Sequence, residues 1–210
     1  MGTKINLSEF KTILKSGAEQ IKANLDVLTK IDGKFGDGDH GLTMGKVADV
    51  IIAGADASSL SDYCEKLGME MMSVNGGSAS ALWGTLFTGF ASAGLDKEMD
   101  ADGFKRMLHC GLDDLYDIST ARVGGKTMMD ALIPAAAAAD DAGEELEEVL
   151  RASARAAKDG MERTREMVAR YGRAKSYGER TIGTPDAGAV STSLFFDGLL
   201  QGYLKQKAEQ

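Results

Sequence analysis

Residues 7–28 read LSEFKTILKSGAEQIKANLDVL, a stretch in which apolar side chains recur every three or four positions. That spacing places the apolar side chains on one face of an α-helix and most of the charged ones on the other. We predict a single amphipathic helix over residues 7–28, with Ser8 as its N-cap and its apolar face against a core.

The same periodicity recurs along the rest of the chain and predicts about eight helices and no strand. The other predicted helices cover residues 45–53, residues from Ser58 or Ser59 to Met71, residues 82–90, residues from Asp100 or Asp102 to Ile118, and residues 127–139, 144–171 and 186–205. Pro134 predicts a kink, or a helix start, within the fifth of these segments. Alanine and leucine far outnumber valine and isoleucine, which also favours helices over strands.

Composition places the chain among soluble proteins with one core. Its 210 residues are 43% hydrophobic and carry a net charge of −8, and no linker or repeat divides them, so we predict one domain over residues 1–210. The acidic balance opposes nucleic-acid binding, and the longest apolar run, residues 131–139, is too short to span a membrane. Two isolated cysteines, Cys64 and Cys110, suit a reducing compartment. We therefore expect a cytoplasmic protein.

Glycines cluster in four places, at residues 33–45, 76–77, 124–125 and 178–188. All four clusters lie between predicted helices, where the backbone turns sharply or approaches a ligand closely. In an up-and-down bundle alternate connections share one end. Several of these loops are therefore expected to converge on one site.

Three aspartates, Asp32, Asp37 and Asp39, lie in the segment DGKFGDGDHG, residues 32–41. Carboxylates this close repel one another unless a positive charge joins them. Oxygen ligands without cysteine favour Mg²⁺ or Ca²⁺ over zinc, and the spacing does not match an EF-hand loop. Mg²⁺ completed by substrate phosphates fits better. A solvated acidic turn in which Asp39 caps the next helix stays open as the alternative.

Two nucleotide-binding signatures are imitated in the sequence. Residues 36–41 match G-x-G-x-x-G, but that fingerprint follows a strand, and the preceding segment is predicted to be helical. Gly125-Lys126-Thr127 imitates the end of a Walker A motif, yet its first glycine position holds Thr120 and no strand precedes it. We reject both a Rossmann fold and a P-loop, and keep Gly124 and Gly125 as candidate backbone contacts.

Basic residues concentrate in residues 151–180, which hold nine Lys or Arg and four Asp or Glu. Arg173, Lys175 and Arg180 lie in the glycine-containing part of this region, where an arginine can meet a phosphate. For Arg180, a loop salt bridge with Glu179 or Asp186 is an equally weighted alternative.

A few other side chains could touch a ligand. His40 could contact a phosphate or only hydrogen-bond a neighbouring carboxylate, and Ser78 and Ser80 could donate hydroxyl hydrogen bonds. Met44, Met128 and Met129 could flank an adenine, although methionines at helix starts are more often core residues. No Ser-His-Asp or Cys-His spacing supports a nucleophilic hydrolase.

Six motifs taken together resemble the nucleotide-binding L subunit of dihydroxyacetone kinase. They are Asp32 with GDGDHG (36–41), GGSASALWGTLF (76–87), GKTMMDALIP (125–134), GRA (172–174), GERTIG (178–183) and DAGA (186–189). They span essentially the whole chain in the order of the family. The resemblance implies an all-α fold, an eight-helix antiparallel up-and-down barrel whose nucleotide site lies at one end.

The resemblance also implies a ligand set. In that family three aspartates bind two Mg²⁺ ions that bridge the nucleotide phosphates, which carries over to Asp32, Asp37 and Asp39. The nucleotide, ADP or ATP, is implied to contact His40, Gly41, Leu42, Thr43, Gly77, Ala79, Ser80, Gly124, Met129, Arg180, Asp186, Ala187 and Gly188. No catalytic side chain beyond the metal ligands is implied in this chain.

What the resemblance implies for function is a phosphotransferase subunit that is active only with its partner. The partner is a K-type subunit that binds a small hydroxyketone such as dihydroxyacetone. We expect ADP to be a resident cofactor that a phosphohistidine protein of the phosphotransferase system rephosphorylates. An ATP-dependent ketose kinase subunit, acting for example on a ketotetrose, and a noncatalytic nucleotide-loaded regulatory subunit are the alternatives. A homodimer stays open.

Overall fold

The computed structural model describes residues 3–209 and shows an all-α fold with one pair of very short strands. The elements in chain order are β1 (Ile5–Asn6), α1 (Leu7–Lys22), α2 (Leu25–Asp32), α3 (His40–Ala53), α4 (Leu60–Ser73), α5 (Gly77–Ala91), β2 (Glu98–Met99), α6 (Ala101–Ile118), α7 (Met129–Asp141), α8 (Leu146–Arg163) and α9 (Ala187–Ala208). Two 3-10 helices, Thr164–Glu166 and Arg173–Thr181, lie between α8 and α9. Among the described helices, none is long and apolar enough to cross a membrane. The predicted all-α class is confirmed.

Eight of the nine α-helices within residues 3–209 form a closed ring. The order of contacts around the ring is α1, α3, α4, α5, α6, α7, α8 and α9, and α9 returns to pack against α1. Neighbouring helices run antiparallel: Gln206, near the end of α9, donates to the carbonyl of Glu9, near the start of α1, at 2.9 Å. The remaining helix, α2, packs on α3 and α9. The predicted eight-helix antiparallel barrel is therefore confirmed, with α2 as an additional helix.

Glycines let the first and last helices close the ring. A Cβ atom added to Gly198 of α9 would lie 2.6 Å from the Cα atom of Gly17 in α1. The two backbones are thus in direct contact, a distance that no other residue type allows.

Aromatic side chains fill the interior of the barrel. Trp83 of α5 meets Phe195 of α9 edge to face, with ring centroids 5.2 Å apart. These two helices lie on opposite sides of the ring, so this contact crosses the barrel axis. Phe87 adds a third ring, 6.0 Å from Phe195. The barrel is a packed core and not an open channel.

The first predicted helix is divided and begins differently. The backbone leaves the helical region at Asn24, whose side-chain amide instead donates to the carbonyl of Gln20 at 2.8 Å. The prediction of Ser8 as N-cap is wrong, because Asn6 occupies that position. Its side-chain oxygen accepts from the amide of Glu9 at 3.1 Å, and the Glu9 carboxylate accepts from the amide of Asn6 at 2.7 Å. This reciprocal pair is a capping box.

Two further differences from the sequence prediction concern the ends of elements. The helix predicted over residues 144–171 stops at Arg163, because the chain then turns through 3-10 geometry and the Thr164 hydroxyl donates back to the carbonyl of Met161 at 2.5 Å. The unpredicted strands pair Ile5 with Met99 in antiparallel register. Two-residue strands are too short to show an alternating pattern.

Candidate metal and anion site

Four helices begin at one end of the barrel, around a single cleft of about 440 Å³. The first residues of these helices all line it: His40 of α3, Gly77 of α5, Met129 of α7 and Ala187 of α9. Because neighbouring helices are antiparallel, alternate helices begin at the same end. The glycine-containing loops that precede these helices therefore meet at one site.

The helix starts contribute partial positive charge to the cleft. Each helix N-terminus carries roughly half a positive charge and amide groups without intrahelical partners. At α3, α5 and α7 the N-cap residues are Asp39, Gly76 and Met128, and none of these three residues caps its helix with a side-chain hydrogen bond. In α7 the amides of Met129, Asp130 and Ala131 already donate to Thr127 and Met128 within the turn. Amide groups in the first turns of α3 and α5 can donate to an anionic ligand.

The carboxylates of Asp32, Asp37 and Asp39 line the same cleft, each offering an oxygen within 4.8 Å of the others. Asp32 ends α2, Asp37 lies in the following loop, and Asp39 immediately precedes α3. It is Asp32 that accepts from the backbone amide of His40, at 3.3 Å, whereas the Asp39 side chain does not cap α3. Asp39 thus occupies the N-cap position of α3 without a capping hydrogen bond from its side chain, so the capping part of the alternative is wrong.

Two glycines allow this arrangement of carboxylates. A Cβ atom at Gly36 would lie 2.3 Å from the Oδ1 atom of Asp32, so a side chain there would displace the carboxylate. Gly38 has a φ of +75°, in the left-handed region that other residues rarely adopt. The glycines between the aspartates are thus part of the site.

An arginine reaches the aspartates, and it is Arg173. Its guanidinium forms an ion pair with the carboxylate of Asp37, and Arg173 lines the cleft. Arg180 instead lies over the ring of Tyr177, 5.4 Å from the ring centroid, and is not among the residues that line the cleft. The sequence singles out both arginines of this loop, and the motif GRA at residues 172–174 is the signal for the one that lines the cleft.

His40 lies on the inner side of the loop that carries Asp37 and Asp39. Its Nε2 atom is 3.1 Å from the hydroxyl of Ser191 on α9. Burial lowers the pKa of His40 below its usual value, while the negative charge of Asp32 opposes that shift. The imidazole is therefore neutral at physiological pH and able to act as a hydrogen-bond donor or acceptor.

Asp186 is a carboxylate in an unusual environment at the start of α9. It caps the helix by accepting from the amide of Ala189 at 2.8 Å. Burial raises the pKa of Asp186 to about 7, reinforced by the negative charge of Asp130 and opposed by the amide of Ala189 and by Lys126. At neutral pH this group is partly protonated.

The structure divides the predicted nucleotide contacts into two groups. The residues that line the cleft are His40, Gly77, Ala79, Met129, Asp186, Ala187 and Gly188, together with the three aspartates. Those outside its lining are Gly41, Leu42, Thr43, Ser80, Gly124 and Arg180. For both groups, contact with a nucleotide stays a prediction.

The second group is held in place by protein contacts. A Cβ atom at Gly41 would lie 2.4 Å from the carbonyl of Leu25, so Gly41 lets α3 pack on α2. The hydroxyl of Thr43 donates to the carbonyl of Gly76 at 3.3 Å, and that of Ser80 to the carbonyl of Val74 at 3.1 Å. Leu42 is 64% exposed.

The turn before α7 contains two buried charges that sequence reasoning did not assign. Asp130 accepts from the amide of Gly124 at 2.5 Å and from the amide of Thr127 at 2.7 Å, which fixes the turn. Lys126 lines the cleft and is buried. The signal for both is the segment GKTMMD, which resembles the end of a P-loop and belongs to one of the six motifs but gives no role to either charge.

Comparisons with known proteins agree on one family. Residues 34–201 match the model of the DAK2 domain. The chain is 31% identical over 192 residues to the PEP-dependent dihydroxyacetone kinase 1, ADP-binding subunit DhaL, of Listeria innocua, and the match covers 90% of this chain and 92% of that protein. It is 29% identical over 200 residues to the L-erythrulose kinase of Pectobacterium atrosepticum, covering 89% of this chain and 33% of that protein.

A solved structure shares the fold. The dihydroxyacetone kinase of C. freundii, crystallised in complex with AMP-PNP and Mg²⁺, matches with a TM-score of 0.74 at 23% identity, covering 96% of this chain and 35% of that one. The family model and the relative of similar length both cover most of the chain. The chain therefore belongs to the DAK2-domain family and is a kinase subunit of the dihydroxyacetone kinase type.

Proposed function

We propose that the chain is the nucleotide-binding subunit of a small-ketose kinase, which holds a Mg²⁺–nucleotide complex and passes a phosphoryl group to a hydroxyketone bound on a K-type partner. One observation carries the proposal: three carboxylates and four helix N-termini surround the same 440 Å³ cleft. Carboxylates hold hard divalent cations, and helix N-termini hold phosphates. A metal–nucleotide complex contains both a divalent cation and phosphates.

The donor set of the aspartate cluster fits Mg²⁺. Its three ligand groups are all carboxylates, their oxygens converge within 4.8 Å, and neither cysteine of the chain joins them. Three negative charges with two Mg²⁺ ions leave a local charge of +1, which suits a polyphosphate. When bound, the metal neutralises charge on the transferred phosphoryl group. We therefore propose two ions, held by Asp32, Asp37 and Asp39.

The other residues of the cleft bind and orient the nucleotide. Amide groups in the first turns of α3 and α5 donate to phosphate oxygens, and Arg173 lies where it can meet the phosphate next to Asp37. Ala79 and Met129 offer apolar surface in the cleft wall for the base. Beyond the metal ligands we assign no catalytic side chain here, so the partner is expected to activate the acceptor hydroxyl.

The phosphoryl group can come from a phosphohistidine protein or from ATP. We prefer the first donor, with ADP as a resident cofactor. The relative from Listeria innocua is named a PEP-dependent, ADP-binding subunit, and it has nearly the length of this chain. We therefore propose rephosphorylation of bound ADP by a phosphohistidine protein in the cytoplasm. The match to a longer L-erythrulose kinase favours the alternative, in which ATP exchanges at each turnover and a ketotetrose is the acceptor.

Retention of ADP separates the two donors. The purified chain, loaded with Mg²⁺ and ADP, is passed through gel filtration, and the nucleotide in the protein peak is quantified. We expect ADP to remain bound in near-stoichiometric amount. Rapid exchange of the loaded ADP for ATP supports the ATP-dependent alternative instead.

Reconstitution tests the kinase activity itself. The chain is combined with its K-type partner, Mg²⁺, dihydroxyacetone or erythrulose, and either ATP or phosphoenolpyruvate with the phosphotransferase proteins. Formation of a ketose phosphate that depends on both subunits is the expected result. Absence of product with every donor, although the chain binds Mg²⁺–ADP, indicates a nucleotide-loaded regulatory subunit and refutes the kinase proposal.

A further inference from the structure

Lys126 occupies a site made of backbone carbonyls. Its side chain is buried, at 5% exposure, and its ammonium lies 2.7 Å from the carbonyl oxygens of Thr181 and Thr184, 2.8 Å from that of Thr164 and 3.1 Å from that of Met167. An ammonium has three hydrogens, so these four acceptors use its full donor capacity. Although Lys126 lines the cleft and follows a glycine as a P-loop lysine does, it has no N–H group left for a phosphate.

The four carbonyls belong to the two ends of one segment, residues 164–184, which we call the cleft loop. Thr164 and Met167 lie at its beginning, and Thr181 and Thr184 lie at its end. Between them, residues 171–174 line the cleft. Lys126 therefore joins both ends of the cleft loop to the turn that precedes α7.

A second contact connects the same two parts of the chain. The amide of Arg170 in the cleft loop donates to the carbonyl of Gly125 at 3.2 Å. The turn before α7 is itself fixed, because Asp130 accepts from the amides of Gly124 and Thr127. The cleft loop is thus anchored to a rigid turn at one end of the barrel.

Placing a lysine here is costly in two ways. Its φ is +60°, in the left-handed region, which is unfavourable for a residue with a side chain. Burial lowers the pKa of the ammonium below its usual value, opposed by the charges of Asp186 and Asp130. Such costs persist where the surrounding structure requires the geometry, and here the requirement is a cation between the two ends of the loop.

We propose that Lys126 is a positioning residue that binds nucleotide indirectly, by holding the cleft loop in the conformation that presents Arg173 and the start of α9 to the ligand. The nucleotide part rests on the proposed function, whereas the conformation of the loop can be measured without a ligand. Loss of the ammonium frees both ends of the loop at once, because the four carbonyls lose their shared donor.

The test compares Lys126→Met and Lys126→Ala with Lys158→Met, which removes an exposed lysine from α8. Trypsin reports on the cleft loop directly, since Arg165, Arg170, Arg173, Lys175 and Arg180 all lie in it. We expect cleavage in this loop to accelerate roughly tenfold or more in both Lys126 variants, at unchanged helix content by circular dichroism. We also expect the Kd for Mg²⁺–ADP to rise roughly 10- to 100-fold, while Lys158→Met behaves as the wild type.

Ammonium ion provides a rescue that distinguishes positioning from other roles. In Lys126→Ala the four carbonyls surround a space that NH₄⁺ can occupy, so ammonium chloride, but not sodium chloride at the same concentration, should restore protection from trypsin and ADP affinity. Weakened ADP binding with a fully protected loop overturns the proposal, because Lys126 then acts on the ligand by its charge. Wild-type protection of the loop in both variants overturns it as well.

Hydrogen exchange in the wild-type chain keeps the proposal testable if the variants do not fold. The amides of residues 124–127 and of the cleft loop are expected to open together, with one protection factor that differs from those of α8 and α9. Independent opening of the two segments contradicts the proposal. If the wild type binds no nucleotide, the proposed function fails, but the trypsin and exchange results still decide the role of Lys126 in the loop.

Discussion

Asp37 is the proposed metal ligand whose contribution is most easily separated from folding. Its side chain is 39% exposed, and Arg173 is its ion-pair partner. We predict that Asp37→Asn weakens Mg²⁺–ADP binding by at least roughly 10- to 100-fold, since a metal ligand loses its charge. The midpoint of thermal unfolding should change little, because an exposed ion pair contributes about 0–1 kcal/mol. Isothermal titration calorimetry measures the affinity. Asp141→Asn, at the far end of α7, is the control, and equal affinity in both variants refutes the metal assignment.

The raised pKa of Asp186 predicts that the free energy of unfolding depends on pH. Its pKa is raised from 3.8 to about 7 in the folded chain, so the folded state binds the proton more tightly than the unfolded state. Stability from this group is therefore present below about pH 4 and is lost as the pH rises to about 7. Asp186→Asn keeps a capping side chain without the charge. Across this window we expect the free energy of unfolding of Asp186→Asn to rise relative to that of the wild type, by on the order of 1–4 kcal/mol. Urea unfolding at several pH values measures this difference. A pH-independent difference contradicts the raised pKa.

At the scale of elements, the sequence predicts helices that have an apolar face and a polar cap. The N-caps Ser59 and Asp100 were among the predicted starts, and both accept from backbone amides at 2.9–3.0 Å. Boundaries set by backbone geometry were not predictable: the apolar spacing continues through Asn24, where α1 gives way to α2. Which of Arg173 and Arg180 lines the cleft also depends on the path of a loop in 3-10 geometry, which has no periodic signal.

Arg173 joins the cleft loop to the aspartate segment, residues 32–41, through its ion pair with Asp37, and we expect this contact to compete with the proposed metal. With no cation bound, the guanidinium compensates part of the repulsion among the three carboxylates. Arg173→Gln should therefore bind Mg²⁺ alone more tightly, by roughly two- to fivefold, the amount expected for a partly exposed ion pair. It should bind Mg²⁺–ADP less tightly than the wild type, because a phosphate contact is lost. Titration calorimetry with and without ADP measures both effects. Arg180→Gln is the matched control for Mg²⁺ alone, and weaker binding of free Mg²⁺ by Arg173→Gln contradicts the competition.

At the scale of the whole molecule, closure of the ring brings the site together. The contact between Gly17 and Gly198 joins the first and last helices of the barrel, and residues so far apart in the chain share no local pattern. The aspartate segment was recognisable because its chemistry is contained within residues 32–41. That the starts of α3, α5, α7 and α9 surround it follows only from the antiparallel order of the helices. The predicted barrel came from a resemblance that covers the full chain, and not from periodicity.

A ligand that contacts four helices of one ring stabilises the whole chain. Mg²⁺–ADP bound at the proposed site favours the folded state by mass action, by about 2.7 kcal/mol when its concentration is 100 times the Kd. For a chain of this length that corresponds to a rise in the unfolding midpoint of roughly 5–10 °C. Differential scanning calorimetry should show one transition that shifts as a unit, because the site and the core share the same helices. Neither EDTA with ADP nor Mg²⁺ alone should produce the full shift. An equal shift with ADP in EDTA contradicts a role for Asp32, Asp37 and Asp39 in holding the nucleotide through metal.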